Sequence, residues 1–335
     1  MPNAITDIPG LRVGHAQDFE ALTGCTVVLC EKGAVGGVDQ RGGAPGTRET
    51  DLLHPLHLVE KVHAILLAGG SAYGLDAATG VMQYLEARGV GYETSAARVP
   101  IVPAAIMFDL AVGRADVRPD AAMGYQACLN ASTNPPAQGN VGAGTGATVG
   151  KFAGMARAMK AGLGTASTHF ENGLMIGALV VVNALGDVID PASGQILAGV
   201  RHPTPAESVY APAAAFPSPF ADSLTILRTW AAPPSPPLVP LENTVIGVVA
   251  TNARLTKEQT NKVAQMAQDG LARAIRPAHT PDDGDTIFAL ATEEIEADVT
   301  VVGSFAAEVF AQAIIHAVTS AESVAVLPAA RDVQR

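Results

Sequence analysis

The sequence predicts an α+β fold in which layered sheets lie beneath covering helices. Three observations carry that expectation. Short apolar runs broken by glycine-rich turns fill roughly the first 200 residues. Helical periodicity with stop and capping signals appears near residues 75–89 and 256–275. Strand-like runs stand with helices before and after them, and no internal repeat is present.

Taken in order, CTVVLCEKGAVGGVD reads as a strand, a turn and a second strand. VHAILLAGG is a continuous apolar run ending in glycines, as a buried strand requires. LDAATGVMQYLEARG places Leu75, Ala78, Val81, Met82 and Leu85 at helical spacing, and Gly89 supplies a stop. GLMIGALVVVNALGDVID predicts a long hairpin turning near Leu185-Gly186-Asp187. TVIGVVATN is strand-like from Thr244. Thr256 and Gln259 stand in capping-box register before a helix whose apolar face is Val263, Met266, Ala267, Leu271, Ala274 and Ile275. DTIFALAT and VTVVGS read as strands, and SFAAEVFAQAIIHAVTSA as the closing helix.

Residues 203–240 differ, holding ten of the 23 prolines. Proline fixes φ and removes a donor, so this stretch predicts loop rather than helix or sheet interior. So long a loop is usually functional or disordered.

Composition bounds the function. The 335 residues are 48% hydrophobic and 16% charged, which suits a large buried core filled by small and aliphatic side chains. A net charge of −11 argues against nucleic-acid and anionic-membrane partners. Cys25, Cys30 and Cys128 form neither a disulfide framework nor a zinc pattern, so reduced thiols and no metal are expected. The N-terminus shows no signal-peptide pattern, and no uninterrupted apolar run approaches the roughly 20 residues of a membrane span. A soluble cytoplasmic protein is the expectation.

Several stretches invite chemistry. Val141–Phe152, VGAGTGATVGKF, is glycine-rich, but Thr145 and Phe152 break the P-loop pattern and Ala147 breaks the dinucleotide pattern. Its glycines instead suit close backbone approach, and its Lys151, taken alone, reads as a solvated lysine. Ser71 is in no nucleophile elbow, although AGGSAYG, with Tyr73, could line a pocket. Asn183 sits in the apolar run ALVVVNAL, where it either starts a turn or offers an amide N–H to an oxyanion. HTPDDGDTIF clusters Asp282, Asp283 and Asp285 without EF-hand spacing, and His279 belongs to no metal-ligand pattern. At Asn243-Thr244 the proline-rich stretch meets a buried-looking strand; turn chemistry is the simplest local explanation.

In this order, ITDIPGLRVGH, RGG near residue 41, AGGSAYGLDAATG, VPAAIMFDL, GAGTGATVGK, VVVNALGDV, ENTVIGVVATNARLT and RPAHTPDDGDTIFA span nearly the whole chain. Together they resemble the family of self-processing aminopeptidases that includes the L-aminopeptidase/D-esterase, the β-peptide aminopeptidases and the nylon-oligomer hydrolase. The resemblance implies an αββα sandwich of the N-terminal-nucleophile type. It implies self-cleavage at Asn243-Thr244 into an α chain of 1–243, ending in the proline-rich tail 203–243, and a β chain of 244–335, together one domain. Thr244 then becomes an N-terminal nucleophile, its free amine serving as base near neutral pH. By the same resemblance Lys151 supports the nucleophile and stabilises charge, and Asn183 is the oxyanion donor. Asp283 and Asp285 anchor the nucleophile's surroundings or a substrate ammonium, with Asp-Gly-Asp matching the nylon-oligomer branch. Phe108 stands where that branch has tyrosine, and Phe108, Ser71 and Tyr73 are candidate pocket residues. The implied partner is a small peptide or oligoamide substrate, with no cofactor and a tetramer of α/β units. Two other readings are an acyltransferase of the ornithine acetyltransferase type and a non-catalytic relative.

Overall fold

In the computed structural model, which describes residues 3–203, 218–231 and 243–333, a continuous hydrogen-bonded path joins nine strands. The strands of the N-terminal part are β1 (Arg12–Asp18), β2 (Thr23–Gln40), β3 (Thr47–Arg48), β4 (Lys61–Ala68) and β5 (Ala104–Ile106). Next come β6 (Leu163–His169), β7 (Met175–Asn183), β8 (Asp187–Ile189) and β9 (Ile196–Ala198). The last are β10 (Thr244–Arg254), β11 (Ile275–Arg276) and β12 (Thr286–Glu296). The path runs β6-β7-β10-β12-β2-β4-β5-β3, with β1 paired on β2, while β9-β8-β11 form a separate small sheet.

The five main helices are α1 (Ala77–Glu86), α2 (Ala121–Leu129), α3 (Ser223–Trp230), α4 (Lys257–Ala274) and α5 (Val299–Thr319). Side-chain alternation shows how they layer. Along β2, Cys25, Val27 and Leu29 join Ala77, Val81, Leu85 and Cys128 in a core beneath α1 and α2. The intervening Val28 and Cys30 turn into the main core, which also takes in Val180, Ile246, Phe288, Leu271 and Phe310. Residues on both faces of β7 and β10 are buried, as expected for strands with no polar face. The four layers α1/α2, sheet, sheet, α4/α5 are the αββα sandwich that the resemblance implies. The two sheets are not separate, because β2 crosses from one layer to the other. It pairs with β1 over Thr23–Leu29 and with β4 as far as Val35, and its last residues, Val35–Gln40, pair with β12.

That crossing corrects one expectation. CTVVLCEKGAVGGVD is not strand, turn and strand. Gly33, at φ +81°, and an irregularity between Leu29 and Ala34 bend a single strand instead of reversing it. The hairpin expected at Leu185-Gly186-Asp187 is also absent. β7 pairs with β6 and β10, whereas β8 leaves for the small sheet. Asp187 draws it there, its buried carboxylate accepting from the backbone N–H of Val200 at 3.0 Å and of Ser223 at 2.7 Å.

VTVVGS is likewise no strand but the opening of α5. Asp298 caps that helix by accepting from Thr300 N at 2.7 Å, and Val302 is buried in the core, so packing and capping override local β propensity. α5 has the length and apolar character of a membrane-crossing helix. It lies instead on the sheet, with Ala306, Phe310, Ala313, Ile314 and Ala317 buried.

Within the proline-rich stretch, residues 204–217 and 232–242 lie outside the described residues. Between them the loop expectation fails. α3 forms at Ser223–Trp230, capped by Asp222, in a window of the sequence that contains no proline. Its Ile226, Leu227 and Trp230 cover Phe152, Leu185 and Val200.

The capping box at the start of α4 is present as predicted. Thr256 Oγ1 accepts from Gln259 N at 3.3 Å, and Gln259 Oε1 accepts from Thr256 N at 2.9 Å. Thr256→Ala is expected to lower stability by about 0.5–2 kcal/mol, read as a lower urea midpoint with unchanged m-value.

Candidate active site

Three strand ends meet at one place. β7 and β10 are antiparallel in a register that sets Asn183 opposite Thr244. β12 runs parallel to β10 on its other side, with Ile246 beside Thr286, so the Asp-Gly-Asp turn before β12 lies alongside Asn243. Asn243 N donates to Asp282 O at 3.2 Å. The Asn243 carbonyl accepts from Gly284 N at 2.8 Å and from the Thr244 hydroxyl. Thr244 is 4% exposed and Asn243 2%, so the peptide bond between them is buried with its carbonyl oxygen already held.

No side chain fits at Gly284, where a Cβ would lie 2.8 Å from Thr244 Oγ1 and 2.9 Å from Ala44 O. The turn is itself clasped by the RGG stretch. Arg41 N donates to Asp285 O at 3.0 Å and Ala44 N to Asp283 O at 2.8 Å, and a Cβ on Gly42 would collide with the Asp283 carbonyl.

Lys151 is not solvated but buried. Its Nζ donates to Asn183 Oδ1 at 2.9 Å and to Asn183 O at 3.0 Å. Gly150 makes this reach possible: at φ +73° it packs directly on Gly199, leaving no room for a side chain. Asn183 Oδ1 also accepts from Thr148 N at 3.1 Å and Thr148 Oγ1 at 3.2 Å, and Nδ2 donates to Phe108 O at 3.0 Å. Phe108 therefore joins the site through its carbonyl. Ser71, left-handed at φ +54°, donates its N–H to Met107 O at 3.0 Å, one residue from Phe108. Tyr73 is 61% exposed with the Arg118 guanidinium 4.0 Å above its ring. Among the described residues no hydrogen bond ties the Ser71 or Tyr73 side chain to the Thr244 cluster.

The acidic pair divides its work. Asp285 Oδ1 accepts from Val245 N at 2.8 Å; Oδ2 accepts from His279 N at 3.1 Å and lies 2.8 Å from His279 Nδ1. Asp283 Oδ2 accepts from Thr280 N and Thr280 Oγ1, both at 2.7 Å. Burial, then the neighbouring Asp285 charge, pushes the Asp283 carboxyl up to about 6, against the opposing pull of the Thr280 hydrogen bonds and Lys151.

Three features escaped the sequence reading. His279 fits no metal-ligand spacing, and its place six residues before Asp285 is its one signal in the sequence. Gly284 acts through a backbone N–H. Lys160 is fully buried, its Nζ donating to Gly144 O at 3.0 Å, Ala147 O at 3.1 Å and Ala161 O at 2.7 Å. Burial lowers its pKa to about 7, partly offset by Asp109. The one signal for it was a lone lysine in the small-residue run AMKAGLG.

A four-layer αββα sandwich with a buried threonine at the head of an inner strand is the N-terminal-nucleophile type of fold that the resemblance implies. Similarity to known proteins adds a class, the hydrolases of amide bonds. The chain belongs to peptidase family S58, which residues 3–330 match. It is 44% identical over 366 residues to an uncharacterized aminopeptidase of Mycobacterium tuberculosis, covering 98% of this chain and 97% of that relative. It is 32% identical over 324 residues to a 6-aminohexanoate-oligomer endohydrolase of Kocuria sp., covering 93% of this chain and 84% of that one. Its fold is similar to that of the L-aminopeptidase D-Ala-esterase/amidase from Ochrobactrum anthropi, described as a variant of the Ntn hydrolase fold. The TM-score is 0.71 at 20% identity, covering 99% of this chain and 92% of that one.

Two predictions follow from the geometry. Gly42→Ala pushes the Asp283 carbonyl away and is expected to separate Gly284 N from Asn243 O, read as loss of protection of the Gly284 amide in hydrogen exchange. The second concerns pH. Because the folded pKa of Asp283 is raised to about 6, its stabilising protonation is complete below about pH 4 and lost as pH rises through 6. Asp283→Asn removes that loss. On a Thr244→Ala background, the stability of the Asn variant relative to its parent is expected to increase between pH 4 and 6 and level off above 7. Urea unfolding across that range measures it.

Proposed function

We propose that this chain cuts itself at Asn243-Thr244 and then hydrolyses peptide or other linear amide bonds through an acyl-enzyme on Thr244. The observation that carries the reading is the buried Asn243 carbonyl, held by Gly284 N–H with the Thr244 hydroxyl against it.

In the first stage Thr244 Oγ forms a bond to the Asn243 carbonyl carbon as the hydroxyl proton leaves. Negative charge grows on the Asn243 oxygen, where the Gly284 N–H already points. Collapse breaks the C–N bond, the Thr244 nitrogen takes up a proton, and an ester joins Asn243 to Thr244 Oγ. Water hydrolyses that ester, leaving the Asn243 carboxylate and a free Thr244 amine. In the second stage that amine accepts the Thr244 hydroxyl proton as the oxygen attacks a substrate amide. Lys151 fixes the Asn183 side chain opposite Thr244 and places a cation near the developing charge. Asn183 has a second amide hydrogen besides the one given to Phe108, and that hydrogen is the donor assigned to the substrate oxyanion.

Aminopeptidase activity on short peptides leads this reading, supported by the 44% identical relative named an aminopeptidase; linear oligoamides are the second substrate class. Phe108 supplies no hydroxyl, so its contribution to the pocket is shape and a backbone carbonyl. The reading includes a soluble cytoplasmic tetramer of α/β units that needs no cofactor.

Mass spectrometry of the purified protein is expected to show two fragments, 1–243 and 244–335, in place of one 34.2 kDa species. Thr244→Ala is expected to stay intact and to lose amide hydrolysis by at least about a thousandfold. A wild-type chain that stays whole on prolonged incubation, or an active alanine variant, sinks the proposal.

A further inference from the structure

His279 has no task in the chemistry above, yet the geometry around it is strongly specified. Its backbone is left-handed at φ +58°, uncommon for any residue but glycine. Its N–H and its ring Nδ1 converge on one oxygen, Asp285 Oδ2. The other oxygen of Asp285 accepts from Val245 N. A line of contacts thus runs from His279 through Asp285 to the residue after Thr244. The Asp285 side chain is 2% exposed and that of His279 19%. His279 Nε2 is buried and has no hydrogen-bond partner among the described residues. A hydrogen there would be a buried unpaired donor, so the ring hydrogen belongs on Nδ1, donated to Asp285.

A carboxylate held by one oxygen alone can turn about its χ2. Two donors from His279 on Oδ2 leave Asp285 a single orientation, in which Oδ1 meets Val245 N. That contact matters because the β10–β12 ladder begins only at Ile246 and Thr286. On that side the Asn243–Asp283 bridge and the ladder from Ile246 hold the two ends of Thr244–Val245, and the Asp285 contact holds the segment between them. Without it that segment can shift and the Thr244 hydroxyl move off the Asn243 carbonyl. We propose that His279 is a positioning residue for self-cleavage, locking Asp285 in the orientation that fixes Thr244. The proposal rests on the self-cleavage reading given above.

Three variants test it: His279→Asn, His279→Gln and His279→Leu, each followed by mass spectrometry for the fraction cut over time and by thermal unfolding. Asparagine carries an amide nitrogen where Nδ1 stands and tolerates the left-handed backbone. Glutamine reaches instead toward the Nε2 position, and leucine offers no donor. The asparagine variant is expected to cut within about threefold of wild type. The other two are expected to slow by about 10- to 150-fold, the loss of one hydrogen bond to a charged group. Equal rates in all three variants overturn the proposal: equal to wild type, His279 is idle; equally slow, it only fills space. Should the leucine variant fail to fold, the asparagine–glutamine comparison decides alone. A wild-type chain that never cuts removes the self-cleavage reading and this proposal with it, whereas a cutting wild type with equal variants removes this proposal only.

Discussion

Everything at the candidate site depends on the register of β10 between β7 and β12. Side chains alternate faces along a strand, so a slip of one residue would exchange Thr244 for a neighbour facing the other way. The antiparallel ladder to β7 brings Asn183, and with it Lys151, opposite the threonine. The parallel ladder to β12 brings the Asp-Gly-Asp turn alongside the Asn243 carbonyl. Both faces of β10 are buried, and Gly247 leaves the space that the Phe310 ring fills, so packing away from Thr244 helps hold this register. The long core strand is therefore the alignment device, and the proposed nucleophile is its first member.

Around this alignment the protein buries charge in an unusual way. Lys151 donates to the side-chain and backbone oxygens of Asn183, and Lys160 to three backbone carbonyls. These acceptors place the Lys151 ammonium beside Asn183, and its charge helps draw down the pKa of the Asp283 carboxyl. Lys160 has a mechanical effect. It gathers two carbonyls of the glycine-rich stretch, Gly144 and Ala147, with that of Ala161, and so braces the backbone that leads to Lys151.

The elements legible in the sequence were those with a local cause. α4 announced itself by Thr256 and Gln259, and the strand at Thr244 by its apolar run. Misread segments were settled by partners distant in sequence. Val299–Ser304 is β-branched and strand-like alone, yet Asp298 and the core make it helical. Gly186 and Asp187 look like a hairpin turn until the backbone of Val200 and Ser223 claims the carboxylate. The site divides in the same way. Thr244, Lys151, Asn183, Asp283 and Asp285 could be named because a whole-chain resemblance gave them meaning together, and the structure brings all five to one place. Gly284 contributes a backbone N–H, which no sequence pattern marks. His279 needed a three-dimensional neighbour to reveal what its ring donates to.

The position of β10 and β12 in the middle of the strand path has one more consequence. A chain cut before Thr244 gives a smaller piece that supplies two adjacent inner strands and both helices of one outer layer. Folded, the pieces stay interleaved, because release means breaking ladders on both sides at once. Unfolded, they are two molecules, and refolding changes from a first-order to a second-order process. Stability of the mature form then depends on concentration and rests on slow unfolding rather than on ready return. The proposed cut would make the fold a one-time assembly: the intact precursor would carry the instructions for building it, and the processed protein keep only the result.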